Sequence, residues 1–185
     1  MFKKLLLASV LAVPAVSMAE GLSYNYAQAT YQSVDIDGTS VSPDGFGIAG
    51  SYLFGKTVFA QAEYSALSAK GVDLDTFGVG LGLRHGLTDK VDVTAGAGLV
   101  FAKVDVSGFG SDDDTGYTVR GGLRAQVMPK LELNGGVAYT DVFDDGNTSF
   151  LLGGVVSITP QFALVAGAEL DEDATGYNIG GRFNF

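Results

Sequence analysis

Thr76-Phe77-Gly78-Val79-Gly80-Leu81-Gly82-Leu83-Arg84 alternates between large apolar residues and small or polar ones. A period of two sets successive side chains on opposite faces of a β-strand. Phe77, Val79, Leu81 and Leu83 share one face; Thr76, Gly78, Gly80, Gly82 and Arg84 share the other. The pattern recurs downstream. Tyr117, Val119, Leu123, Ala125 and Val127 oppose Thr118, Arg120, Gly122, Arg124 and Gln126. Leu131, Leu133, Val137 and Tyr139 oppose Glu132, Asn134, Gly136 and Thr140. The chain ends on Tyr177, Ile179, Phe183 and Phe185 against Asn178, Gly180, Arg182 and Asn184.

Turn residues cut these runs into hairpins. Short turns fall at Gly55-Lys56-Thr57, Leu87 to Lys90, Met128 to Lys130 and Thr159 to Gln161. Longer polar connections are expected at Val34 to Gly45, Ala69 to Leu74, Asp105 to Thr115, Asp141 to Thr148 and Asp171 to Thr175. This alternation predicts ten strands, near 22–33, 46–54, 58–68, 75–85, 91–104, 116–127, 131–140, 149–158, 162–170 and 176–185. Eight strands result if two weak segments are loop. The first strand is the least regular. Leu22, Tyr24 and Tyr26 favour one parity and Ala27, Ala29 and Tyr31 the other, which a bulge near Tyr26 would reconcile.

The polar face decides the architecture. It is rich in glycine and carries Arg84, Arg120, Arg124 and Arg182 with Glu63, Asp92, Glu132 and Glu169. Glycine on a water-facing strand would waste strand propensity, whereas small residues relieve crowding on a concave wall. The four basic and four acidic groups are expected to pair inside a closed barrel. The continuous apolar face then needs a hydrophobic solvent. The fold expected is all-β: a closed antiparallel up-and-down transmembrane β-barrel, with a soluble secreted β-barrel or sandwich as the alternative. On this assignment Leu81→Arg should be costly and Gly80→Ser cheap. Most of the 21 acidic residues lie in or beside the five longer connections, while Lys56, Lys90 and Lys130 sit in the short turns. The acidic loops should therefore face outside and the short turns the periplasm.

Composition and the N-terminus agree with export. Lys3 and Lys4 precede an apolar run from Leu5 to Val16, and Ser17-Met18-Ala19 puts small residues before a cut at Glu20. This is the signal-peptide pattern, so residues 1–19 are read as the signal peptide and 20–185 as the barrel. Without Lys3 and Lys4 the chain keeps 9 basic and 21 acidic residues, a formal charge of −12. That balance argues against nucleic acid as a partner. With no cysteine, neither a disulfide framework nor a lipidated N-terminal Cys is available.

The ending Asn178-x-Gly180-x-x-Phe183-x-Phe185 resembles the C-terminal β-signal of outer-membrane barrels. The resemblance implies that the barrel-assembly machinery takes hold of this strand, which then pairs with the first. The whole chain from residue 20 resembles the small outer-membrane β-barrel proteins of OmpA/OmpX type. Gly21 to Tyr26 (GLSYNY) and Gly82 to Lys90 (GLRHGLTDK) are also similar to a diffusible-signal-factor-regulated barrel family. The implied surroundings are outer-membrane lipid and lipopolysaccharide. The OmpA-type domain has eight strands, and ten departs from that.

Little in the sequence points to catalysis. His85 is the single histidine, and its parity sets it on the lipid face beside a short turn, without a Ser or Asp partner. No cofactor and no metal site are expected. Asp35-Ile36-Asp37-Gly38 resembles the start of an EF-hand loop but lacks the third acid and closing Glu, so the acidic segments read as solvated loop tips that could meet an external ligand. The lumen charges allow two readings, a packed lumen or a narrow pore for small solutes. Ten strands fall between barrels filled by side chains and true channels. A plugged or very narrow lumen is favoured, with a structural or surface-interaction role and no enzyme activity.

Overall fold

The computed structural model describes residues 22–39, 41–143 and 145–185, without the side chain of Asp145. The signal-peptide reading of residues 1–19 lies outside these residues. Ten strands form: β1 (Tyr26–Ile36), β2 (Asp44–Phe54), β3 (Val58–Ala69), β4 (Val72–Thr88), β5 (Val91–Val106), β6 (Gly110–Met128), β7 (Leu131–Val142), β8 (Asp145–Ser157), β9 (Phe162–Leu170) and β10 (Ala174–Asn184). Each pairs antiparallel with its sequence neighbours, and β1 closes on β10 from Tyr26↔Asn184 to Ile36↔Ala174. Ten strands, not eight, make the barrel, and the start of β1 and the finish of β10 lie at the same end of it, here called the terminal end. Closure leaves no open edge within the wall, as lipid requires.

The faces follow the alternation. Leu81 (61% exposed), Val79, Leu83, Val119, Leu123 and Leu164 point outward, while Gln28, Thr30, Gln32, Thr118, Arg124 and Glu132 are buried inside. Aromatic pairs bound this outer band. Tyr31–Phe46, Phe77–Phe101 and Tyr117–Tyr139 mark its distal margin; Tyr52–Phe54, Phe162–Phe183 and Phe183–Phe185 mark its terminal margin. Such girdles flank the apolar belt of membrane barrels. From Tyr177 to Phe185 the last strand has about the 9–11 residues that a tilted strand needs to cross a bilayer. At the distal margin the tyrosine rings lie in the apolar band and their hydroxyls donate to carboxylates: Tyr31 to Asp44 at 2.9 Å, Tyr64 to Asp75, and Tyr139 to Asp141 at 3.3 Å.

Four expectations need correction. The first strand begins at Tyr26 and carries no bulge; its register against β2 and β10 is unbroken. Tyr24 and Tyr26 share the inward parity of Gln28 and are buried, so their apolar bodies fill the lumen.

The longer connections are mostly strand. β4, β5 and β6 run to 17, 16 and 19 residues and continue beyond the distal girdle. Asp73, Asp75, Asp105 and Asp112 to Asp114 therefore lie on strands, and Lys70-Gly71 alone joins β3 to β4. Both have positive φ (47° and 82°), as a two-residue type I′ hairpin requires.

Polarity also reverses past the girdle. Leu99 and Phe101 face lipid, but the next apolar residues, Ala102 and Val104, face inward while Lys103 and Asp105 are exposed. Water has replaced lipid as the outer solvent, so the ordinary apolar-inside rule returns.

Finally, Gly80 is not a cheap site. A Cβ there would come 2.6 Å from the Ala97 carbonyl oxygen and 3.0 Å from the Gly98 Cα. Gly98, Gly122 and Gly136 likewise meet neighbouring backbone oxygens at 2.5–2.8 Å. The inward glycines let adjacent strands crowd on a tightly curved wall.

Candidate functional site

The lumen is the site, and it has three layers. The terminal layer is built around Tyr24, on the short segment that precedes β1. Its ring lies under the Arg124 guanidinium (4.2 Å to the centroid) and beside that of Arg84 (4.9 Å), and packs on Phe59 at 5.0 Å. A desolvated cation over an aromatic face is held by the ring quadrupole. The Tyr24 hydroxyl donates to Asp92 at 2.8 Å. Arg124 also donates to the Ser23 carbonyl at 3.3 Å, and the Asn25 side chain accepts from the Leu53 amide at 2.7 Å. Leu22 and Tyr24 are thereby tied into the terminal mouth. Below them opens a vestibule of about 1,140 Å³ lined by Leu22, Tyr24, Arg84, Asp89, Lys90, Asp92 and Phe185, among others.

The middle layer is polar. Three of the expected charge pairs form among the described residues: Arg84–Asp92 at 2.9 Å, Arg120–Glu63 at 3.0 Å and Arg124–Glu132 at 2.8 Å. Arg124 meets both Glu132 oxygens, a fork that fixes its orientation. Among the described residues Arg182 and Glu169 do not pair with each other. Arg182 turns to Gln28, with Nε donating to Oε1 at 3.1 Å, and lies 4.2 Å over the Tyr26 ring. Glu169, on β9, is buried at 2% exposure, and its Oε2 finds no hydrogen-bond partner among the described residues. Cavities of about 10 Å³ flank Glu63, one toward Gln28 and Ser65 and one toward Gln61 and Arg120. Each has room for about one water.

The distal layer is apolar. Val34, Ile36, Leu67, Leu74, Ala102, Val104, Val142 and Ala174 form one buried cluster inside the mouth, with Val72, Val106 and Phe143 packed against it. Sequence reasoning missed this cluster, although the parity switch between Phe101 and Ala102 signals it.

The other predicted residues are accounted for by geometry. Phe183 and Phe185 point outward in the terminal girdle, while Asn178 and Gly180 face the lumen on the strand that closes against β1. A Cβ at Gly180 would collide with the Ala29 carbonyl oxygen. His85 lies exposed on the outer face near the terminal end of β4. Asp35 lies on β1 and accepts from the Ser42 hydroxyl at 2.9 Å, while Ile36 packs inside the distal apolar cluster, so this segment does not coil as a calcium loop.

Comparison with curated proteins finds no match. Among solved structures the chain is similar to Ail, the attachment invasion locus protein of Yersinia pestis (16% identity, TM-score 0.41, 88% of this chain and 100% of that one). It is also similar to the outer membrane protein OprG of Pseudomonas aeruginosa (13%, 0.47, 91% and 99%) and to Neisserial surface protein A (17%, 0.44, 88% and 96%). The family model of the outer membrane protein beta-barrel domain matches residues 5–183. With the closed barrel, the girdled apolar band and this match together, the chain belongs to the outer membrane protein β-barrel family and is a protein of the outer membrane.

Proposed function

We propose that this protein is a sealed, non-catalytic barrel that holds a rigid acidic rim at the cell surface, with a structural or surface-interaction role. The observation that carries the reading is the apolar cluster inside the distal mouth. An ion crossing it would lose its hydration with no polar partner, at a cost of several kcal/mol. The terminal mouth is narrowed as well, by Leu22 and Tyr24. The acidic rim supports placing the distal end outside, because Lys56, Lys90 and Lys130 all lie in terminal-end turns and the strand number is even. Export by residues 1–19 is part of the same proposal. The rim tyrosines and carboxylates would stand at the level of lipopolysaccharide headgroups.

A second reading, a small-solute pore, draws on the vestibule and the charge-lined middle layer. It requires both apolar layers to move aside. Planar-bilayer recording separates the two. The sealed barrel should insert without discrete conductance steps in molar salt. Steady, ohmic steps from the wild-type protein would overturn that reading in favour of the pore.

A further inference from the structure

β6 rises past its neighbour. It pairs with β5 along its whole upper length, from Val106↔Gly110 downward, but with β7 only from Tyr117↔Asp141. No described residue of β7 or β8 pairs with β6 above Tyr117. Gly110 to Asp113 therefore present a strand edge beyond the distal girdle, while Gly116 is already covered by Asp141 and Val142 of β7. The edge is held in place: Ser107 N donates to the Gly71 carbonyl at 2.8 Å, tying the β5–β6 turn to the β3–β4 turn. At its base the Asp114 carboxylate accepts from the Phe143 amide.

The direction of the edge groups follows from the ladder. Gln126 N donates to Lys90 O across the β5–β6 pair at 2.8 Å. Antiparallel strands send successive residues' groups to alternate sides. Even-numbered residues of β6 thus bond to β5, and Ser111 and Asp113 turn their N–H and C=O groups outward. Exposed edges of this kind template pairing with another chain.

We propose that the upper edge of β6 is a docking strand for an extended, basic segment of another protein, which would join it as an added strand. The inference rests on the reading that the distal end faces outside. Charge selects the occupant. Asp113 lies on the outer face of the edge, across from Lys103 of β5, and Asp112 and Asp114 lie on the other, Asp114 already accepting from the Phe143 amide, so a strand laid along the edge meets three carboxylates against one lysine. Lysine and arginine complement that arrangement. A second copy does not, because edge-to-edge pairing would set the two aspartate runs against each other, and like charges facing across strands destabilise the pair. Phe109, at the hairpin tip, is 92% exposed between Gly108 and Gly110, whose φ values are 82° and 101°. It offers an aromatic anchor at the end of the edge. Main-chain hydrogen bonds with side-chain selection are the mode of strand addition.

The test uses the barrel refolded in zwitterionic-lipid nanodiscs and a short fluorescent peptide alternating lysine and valine, with a glutamate–valine peptide as control. The basic peptide should bind saturably by anisotropy and the acidic one should not. Ser111→Pro removes an edge N–H without changing charge and should weaken binding about tenfold, the equivalent of one hydrogen bond. Asp112→Asn with Asp113→Asn keeps the edge and should weaken it too. Amide exchange should slow at Ser111 and Asp113 and not at Asp112. Equal binding by Ser111→Pro without exchange protection would mean charge adsorption and overturn the proposal, as would no binding at all. Conductance on the same preparation reports separately on the lumen. Channel steps with peptide binding intact would defeat the sealed reading alone, and a silent bilayer without peptide binding would defeat the edge alone.

Discussion

Arg124→Ala should destabilise the folded barrel by about 3–5 kcal/mol, the cost of breaking a buried ion pair from one side. Arg124 is 1% exposed, and its fork on Glu132, at 2.8 and 3.1 Å, is joined by the Ser23 carbonyl and the Tyr24 ring. Alanine leaves the Glu132 carboxylate, itself 5% exposed, without its charge partner and frees the segment that narrows the terminal mouth. The paired change Arg124→Met with Glu132→Leu should recover most of the loss, because it removes both charges and keeps the volume. Urea unfolding in lipid vesicles reads both. A double variant as unstable as the single one would mean that Arg124 acts mainly through Ser23 and Tyr24.

Leu81→Arg is the second large effect, expected at about 2–4 kcal/mol if the site lies near the bilayer midplane. Leu81 is outward on β4, opposite Ala60 and Ala97, between the aromatic margins. Small neighbours leave the guanidinium no partner there and a long way to reach water. The informative control is Ser68→Arg, exposed on the outer face of β3 past Tyr64, where water is the solvent. Its cost should stay within about 0.5 kcal/mol, as for an ordinary surface change. Equal effects at the two positions in a lipid refolding assay would count against the lipid band as placed here. Gly80→Ser cannot serve as the mild control, since its Cβ would press on the β5 backbone.

The fold was legible because one rule holds along most of each strand. From Phe77 to Leu83 a single outer solvent makes alternation a direct readout of facing, and short lysine turns divide the hairpins. The rule failed where the solvent changes. Val34, Ile36, Ala102 and Val104 keep the period of two but swap sides, since past the girdle water lies outside and apolar side chains bury themselves inside the mouth. With every apolar residue assigned to lipid, that swap reads as loop, and Asp112 to Asp114 fall in a connection. Tyr24 and Tyr26 misled for a related reason. An aromatic body on the inner face packs under arginine, and the first strand needs no bulge once they are inside.

The charge network was half legible. Arg84 and Asp92 lie on adjacent strands of one hairpin, as do Arg124 and Glu132, so local pairing follows from sequence. Arg120 on β6 reaches Glu63 on β3 across two intervening strands, and Arg182 chooses Gln28 over Glu169. Those choices depend on how the strands stagger around the barrel, which alternation does not encode.

The claim that most depends on this architecture is closure: a membrane-embedded barrel whose apolar face is its outside. Electrophoresis of the protein from an outer-membrane fraction in SDS, with and without boiling, tests it directly. A closed, detergent-resistant barrel should migrate faster unboiled than boiled. One unshifted band, recovered in the soluble periplasmic fraction, would mean that the apolar face is an internal core and would contradict the account.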